Sequence, residues 1–138
     1  MRILSIDPGE KRIGVAISDP TGTIASPLTT LQHASRLLDA ATIADLANQH
    51  QTELIVVGKS LDEQGLPTPA SRRADRMVEA IQQQCDITVT TWDESFSTQK
   101  ARQARINMGV PRRKRKGHLD ELAATVILQS YLDARSGQ

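Results

Sequence analysis

Three acids stand where strands and helices begin or end: Asp7, Glu94 and Asp120. Carboxylate oxygens are hard ligands, so a set of three selects Mg2+ or Mn2+. Gathered without a cation, the three would repel one another and would not ionise together. Two such ions about 4 Å apart activate a water and stabilise the leaving oxygen in phosphodiester cleavage. Nothing points to zinc: Cys85 is the single cysteine, and His33, His50 and His118 are scattered. His118 adjoins a basic run and lies two residues from Asp120; it reads as a surface residue.

Each acid also has an ordinary reading. Asp7 precedes Pro8-Gly9, and aspartate is a common turn residue. An Asp-x-Gly hairpin also holds phosphate in actin-like ATPases, but those need two such domains around the nucleotide. Asp93-Glu94 follows a strand, and acids in loops usually face solvent. Asp120 would open the last helix, where an acid offsets the helix dipole. Against that, Ala123, Ala124 and Ile127 follow it at i+3, i+4 and i+7, turning Asp120 toward the packed side. No Arg or Lys on that helix is spaced to pair with it, so a metal shared with Asp7 and Glu94 fits.

The elements that must position these acids are legible from periodicity. Ile3 to Asp7 reads as an apolar strand shielded from the sheet edge. Pro8 fixes φ and Gly9 is free to take positive φ, so the chain reverses behind Asp7. Ile13, Val15 and Ile17 alternate with Gly14, Ala16 and Ser18, a strand with one crowded face and one small-residue face. Residues 24–31 form a third strand that Pro27 assigns to an edge. Residues 35–51 are helical, with Leu37, Ala40, Ala41, Ala44 and Ala47 inward and Asp39 on another face.

Leu54 to Gly58 is a continuous apolar run, the pattern of a strand buried on both faces. After a charged loop, Thr68 caps and Pro69 opens a helix whose inner stripe is Ala70, Ala74, Met77, Val78, Ile81 and Cys85. Residues 87–92 form the last strand. Helices follow at 98–108, capped by Ser97, and at 118–133, with residues 109–117 as a loop. The order predicts an α/β protein with a five-stranded mixed sheet, a three-strand meander plus two parallel strands, and helices on both faces. That order resembles the ribonuclease H-like fold, and open α/β sheets place their sites beyond the strands' C-terminal ends.

The 138 residues fit a single domain, residues 1–138, with an aliphatic and alanine-rich core, because only Phe96, Trp92 and Tyr131 are aromatic. Met1-Arg2 leads straight into a strand, and no apolar stretch reaches membrane-spanning length. With one cysteine and no disulfide, the expectation is a cytoplasmic protein without a membrane partner.

Net charge is +1, yet Arg112, Arg113, Lys114, Arg115 and Lys116 carry five of the seventeen basic side chains, leaving twelve against sixteen acids. A solvated charge run or a targeting signal is the plain reading of such a block. Its position between Glu94 and Asp120 favours a polyanion contact that is steeply salt-dependent. Lys11 and Arg12 in the first hairpin, with Lys100, Arg102 and Arg105, extend the track. Trp92 and Phe96 read as packing residues, so the backbone and shape of the nucleic acid would be recognised rather than its bases.

The segments Asp7 to Asp19, Pro27-Leu28-Thr29-Thr30, Val56-Val57-Gly58, Asp93-Glu94, Ala101 with Ala104, and Asp120 through Asp133 together resemble the YqgF-type family. These are pre-16S rRNA nucleases related to the RuvC Holliday junction resolvases. The resemblance spans nearly the whole chain and implies Asp7, Glu94 and Asp120 as catalytic metal ligands. It implies a metal-dependent nuclease acting on structured RNA, pre-16S rRNA, in ribosome biogenesis. The alternatives are a resolvase of branched DNA, which would need a dimer for its two cuts, and a non-catalytic nucleic-acid-binding domain. Two departures stand out: Gly58-Lys59-Ser60 replaces the family's usual Gly-Leu-Pro, and Ser95 stands where an arginine usually follows the Asp-Glu pair. Lys59 is a candidate to replace the lost charge.

Overall fold

Five strands form one mixed sheet in the order β3-β2-β1-β4-β5. The computed structural model describes the backbone of residues 1–94 and 112–137, and the side chains of all of these except 112–119. The strands are β1 (Ile3–Pro8), β2 (Arg12–Ser18), β3 (Ala25–Gln32), β4 (Leu54–Lys59) and β5 (Thr88–Asp93). The helices are α1 (Arg36–Gln49), α2 (Pro69–Gln82) and α3 (Arg112–Ser136). β1, β2 and β3 are the antiparallel meander, while β4 pairs parallel with both β1 and β5. The ribonuclease H-like α/β expectation holds. The helix expected at 98–108, with its Ser97 cap, Lys100 and Phe96, falls outside the described residues.

The two faces of β2 explain why the helices divide as they do. Ile13 and Val15 join Leu4, Ile6, Ile55 and Val57 in a core beneath α1 and α2. On the other face Ile3, Ala16, Leu54 and Val56 meet Ala124, Leu128 and Leu132 of α3. Period-2 alternation thus sends bulky side chains to the two-helix face and small ones to α3. Trp92 packs edge-on against Tyr131, centroids 5.4 Å apart, and its Nε1 donates to Ser130 Oγ at 3.1 Å. It is a packing residue, as expected. Pro27 lies on the edge strand, beside a register shift opposite Val15/Ala16.

Several local expectations are corrected. Gly9 does not adopt positive φ; the turn needs glycine because an added Cβ would stand 2.6 Å from the Arg12 carbonyl oxygen, which accepts from Gly9 N. Leu37 is 62% exposed, whereas Asp39 is 3% exposed. Asp39 is buried because it accepts from His33 Nδ1 and Ala34 N, tying the end of β3 to the first turn of α1. α3 begins at Arg112 rather than near 118, so residues 112–117 are helix and not loop. Arg and Lys are good helix formers, and Gly117 alone costs only about 1 kcal/mol, too little to stop the helix.

Candidate metal and nucleic-acid site

Asp7 is the penultimate residue of β1 and is paired across the sheet with Gly14 of β2. Gly14 has no side chain, and α3 uses the space: a Cβ there would lie 1.9 Å from the Asp120 carbonyl oxygen. The helix backbone therefore rests on the strand at the level of Asp7. One turn further along, Ser5 Oγ donates to the Ala124 carbonyl at 2.9 Å in a buried contact. These two contacts set the height of α3 above β1 and β2.

Because α3 starts at Arg112, Asp120 lies in its third turn, and dipole compensation at a helix start no longer accounts for it. Its carboxylate is one-third exposed and takes an ion pair from Arg12 Nε at 3.1 Å. That cation comes from the first residue of β2. Glu94 follows β5 directly, and its Oε1 lies 3.3 Å from where a Gly58 Cβ would stand. Ile127 Cδ1 closes the same space at 2.7 Å from that point. Ser60 Oγ donates to Glu94 Oε2 at 2.9 Å. The departure at 58–60 therefore touches the site through Ser60.

All three acids lie on the α3 side of the sheet, at the edge where β1, β4 and β5 end. Among the described residues, no group of three His, Cys, Asp or Glu side chains is close enough to hold an ion as they stand. The donor set nevertheless fits a hard divalent cation. All three are carboxylates, and the Arg12 guanidinium already provides a positive charge at Asp120.

The basic residues are placed differently from the sequence expectation. Arg12 meets Asp120, and Lys11 is exposed in the adjoining turn. Arg112, Arg113, Lys114, Arg115 and Lys116 occupy the first turns of α3, ending about 6 Å of helix before Asp120. Five consecutive residues exceed one helical turn, so these positions are distributed around the axis rather than along a loop. Lys100, Arg102, Arg105 and Ser95 fall outside the described residues. Sequence reasoning missed three features: the Arg12 pair, the Ser60 contact and the close approach at Gly14. Only the last carried a signal, since glycine inside a strand marks a close neighbour.

The chain matches the family described as "RuvX: Holliday junction resolvase" over residues 1–134. A relative from Syntrophus aciditrophicus, named as a pre-16S rRNA nuclease, is 43% identical over 99% of this chain and 91% of its own. One from Thermoanaerobacter pseudethanolicus with the same name is 38% identical over the whole of both chains. Among solved structures, Thermus thermophilus RuvC in complex with a Holliday junction substrate superposes with a TM-score of 0.63. It is 12% identical, over 99% of this chain and 96% of that one. The Fowlpox virus resolvase gives 0.58 at 16% identity, over 98% and 99%. At these identities the structures establish the shared fold.

Proposed function

The chain belongs to the RuvX family of nucleases, and on that premise we propose that it hydrolyses phosphodiester bonds of pre-16S rRNA with Asp7, Glu94 and Asp120 as the metal-binding catalytic acids. The observation that carries this reading is the seating of Asp120 on Gly14, directly across from Asp7. Helix packing there lays the Asp120 backbone on the strand residue paired with Asp7, which supports the reading.

Asp7, Glu94 and Asp120 would hold Mg2+ or Mn2+, two ions in a full site. When bound, such ions supply an activated water and charge stabilisation at the leaving oxygen. The chain's own residues do the rest. Ser60 orients Glu94, and α3 holds Asp120 at a fixed height on the sheet. Arg12 pairs with Asp120, and Arg12, Lys11, Lys100 and Arg112 to Lys116 are the proposed contacts to substrate phosphates. The protein would act in the cytoplasm on structured RNA, recognised through its backbone. No helix among the described residues is long and apolar enough to cross a membrane.

The test is cleavage of end-labelled precursor rRNA and four-way DNA junctions with Mg2+ or Mn2+, beside Asp7→Asn and Asp120→Asn. RNA cleavage that requires metal and disappears in both variants supports the reading. Cutting of junctions alone moves the function to resolvase. Binding of both without cutting, equal in wild type and variants, leaves a nucleic-acid-binding domain.

A further inference from the structure

Ser60 lies one residue beyond the end of β4 and holds two contacts at once. Its hydroxyl donates to Glu94 Oε2 at 2.9 Å, and its carbonyl accepts from Thr68 Oγ1 at 2.6 Å. Thr68 Oγ1 in turn accepts from Ser71 N at 3.0 Å, and Ser71 Oγ accepts from Thr68 N at 2.8 Å, the reciprocal cap of α2. The loop between is braced within itself: Asp62 Oδ1 accepts from Gln64 N and Leu66 N, and Asp62 N donates to the Leu66 carbonyl. Ser60 is thus fixed from the α2 side before it meets the carboxylate.

We propose that Ser60 is the positioning residue for Glu94, joining the capped start of α2 to the metal-binding acid. The inference rests on Glu94 being a ligand. A hydroxyl donates one hydrogen bond, which occupies one lone pair of one carboxylate oxygen. It therefore selects the rotamer and remains compatible with a cation on the same carboxylate. Oε1 lies beside Gly58, 3.3 Å from where a Cβ on that residue would stand. A hydrogen bond from a residue outside the ligand set to one carboxylate oxygen is the means by which such residues orient metal ligands. Proline at position 60 would have no hydroxyl to offer, so this chain orients its glutamate by a means that the usual Gly-Leu-Pro sequence lacks.

The experiment measures Mn2+ affinity by electron paramagnetic resonance in the full chain without nucleic acid, for wild type, Ser60→Ala, Ser60→Thr and Glu94→Gln, alongside their melting midpoints. Ser60→Ala is expected to weaken Mn2+ binding about 10- to 100-fold, the usual cost of removing such a partner. Ser60→Thr, which keeps the hydroxyl, recovers the affinity, and the melting midpoints stay together. Wild-type affinity in Ser60→Ala, with Glu94→Gln weakened, overturns the role of Ser60 and leaves the site intact. Loss in Ser60→Ala that Ser60→Thr does not recover makes the residue structural and also overturns it. Undiminished binding in Glu94→Gln refutes the ligand assignment itself, and the role of Ser60 falls with it.

Discussion

Gly14→Ala tests the contact on which the site is built. The new Cβ would lie 1.9 Å from the Asp120 carbonyl oxygen, 2.5 Å from its carbon and 3.2 Å from Glu121 N. All three are backbone atoms, so no side-chain rotation relieves the clash. Ordinary contact needs about 3.5 Å, so α3 must retreat from β2 by roughly 1.5 Å. The strand cannot yield instead, because Ile13 and Val15 on its other face are fully packed. Overpacking of this kind costs about 1–3 kcal/mol. Stretching the buried Ser5–Ala124 hydrogen bond adds about 1 kcal/mol. The lower backbone entropy of alanine in the unfolded chain returns only about 0.4–1 kcal/mol. The net expectation is a loss of about 2–3 kcal/mol in urea denaturation at pH 7. An Asp120 displaced by more than 1 Å should also lower cleavage by about 100-fold. Gly58→Ala is the control for stability alone, since its Cβ meets side-chain ends rather than backbone, Ile127 Cδ1 at 2.7 Å and Glu94 Oε1 at 3.3 Å, and should cost about 1 kcal/mol. A Gly14→Ala protein as stable as wild type would refute the close seating of α3.

Other perturbations separate stability from chemistry. Arg12→Ala should tighten Mn2+ binding by removing a competing cation from Asp120, seen by titration, while costing less than about 1 kcal/mol of stability because the pair is exposed. The same variant should flatten the salt dependence of RNA binding by about 0.7 in log–log slope, the share of a single neutralised phosphate. Asp39→Ala removes the buried acceptor of His33 Nδ1 and Ala34 N and should cost about 1–3 kcal/mol in urea denaturation with metal affinity unchanged. Hydrogen bonds from Ile24 N, the Thr21 hydroxyl and Thr23 N hold the Asp19 carboxyl well below the usual carboxylate range. A depressed folded-state pKa stabilises above the unfolded value of about 3.9 and loses that contribution as pH falls toward the folded value. The stability difference between wild type and Asp19→Asn should therefore shrink on going from pH 7 to pH 2, and a difference that grows would contradict the sign.

Much of the fold is written in short-range patterns. The alternation of Ile13, Val15 and Ile17 with Gly14, Ala16 and Ser18 specifies a strand with two unequal faces, and the structure places two helices on one and α3 on the other. Thr68-Pro69 and Ser35 mark helix starts, because side-chain caps and the fixed φ of proline act within one turn. Leu54 to Val57 reads as buried on both faces because no polar residue interrupts it, and all four are buried. Elsewhere local signals misled. Leu37 fitted the apolar stripe of α1 yet is exposed, while Asp39, polar by type, is buried because His33 and Ala34 answer its oxygens.

Asp7 and Glu94 stand out in the sequence by their places at strand ends, Asp120 by the small residues that follow it on its helical face, and their chemistry follows from residue type alone. Their environment does not. Arg12 and Asp120 are paired across 108 positions of chain, and Ser60 reaches Glu94 across 34. No periodicity or cap encodes such pairs, because each depends on how strands from different parts of the chain are stacked. The sequence by itself determined the strands, the small-residue face and the presence of three carboxylates, all of which arise from local backbone and side-chain preferences. Tertiary structure alone decided that α3 lies on Gly14, that a guanidinium meets Asp120 and that a serine holds Glu94. Those contacts exist only once the sheet order and the helix height have been set by packing.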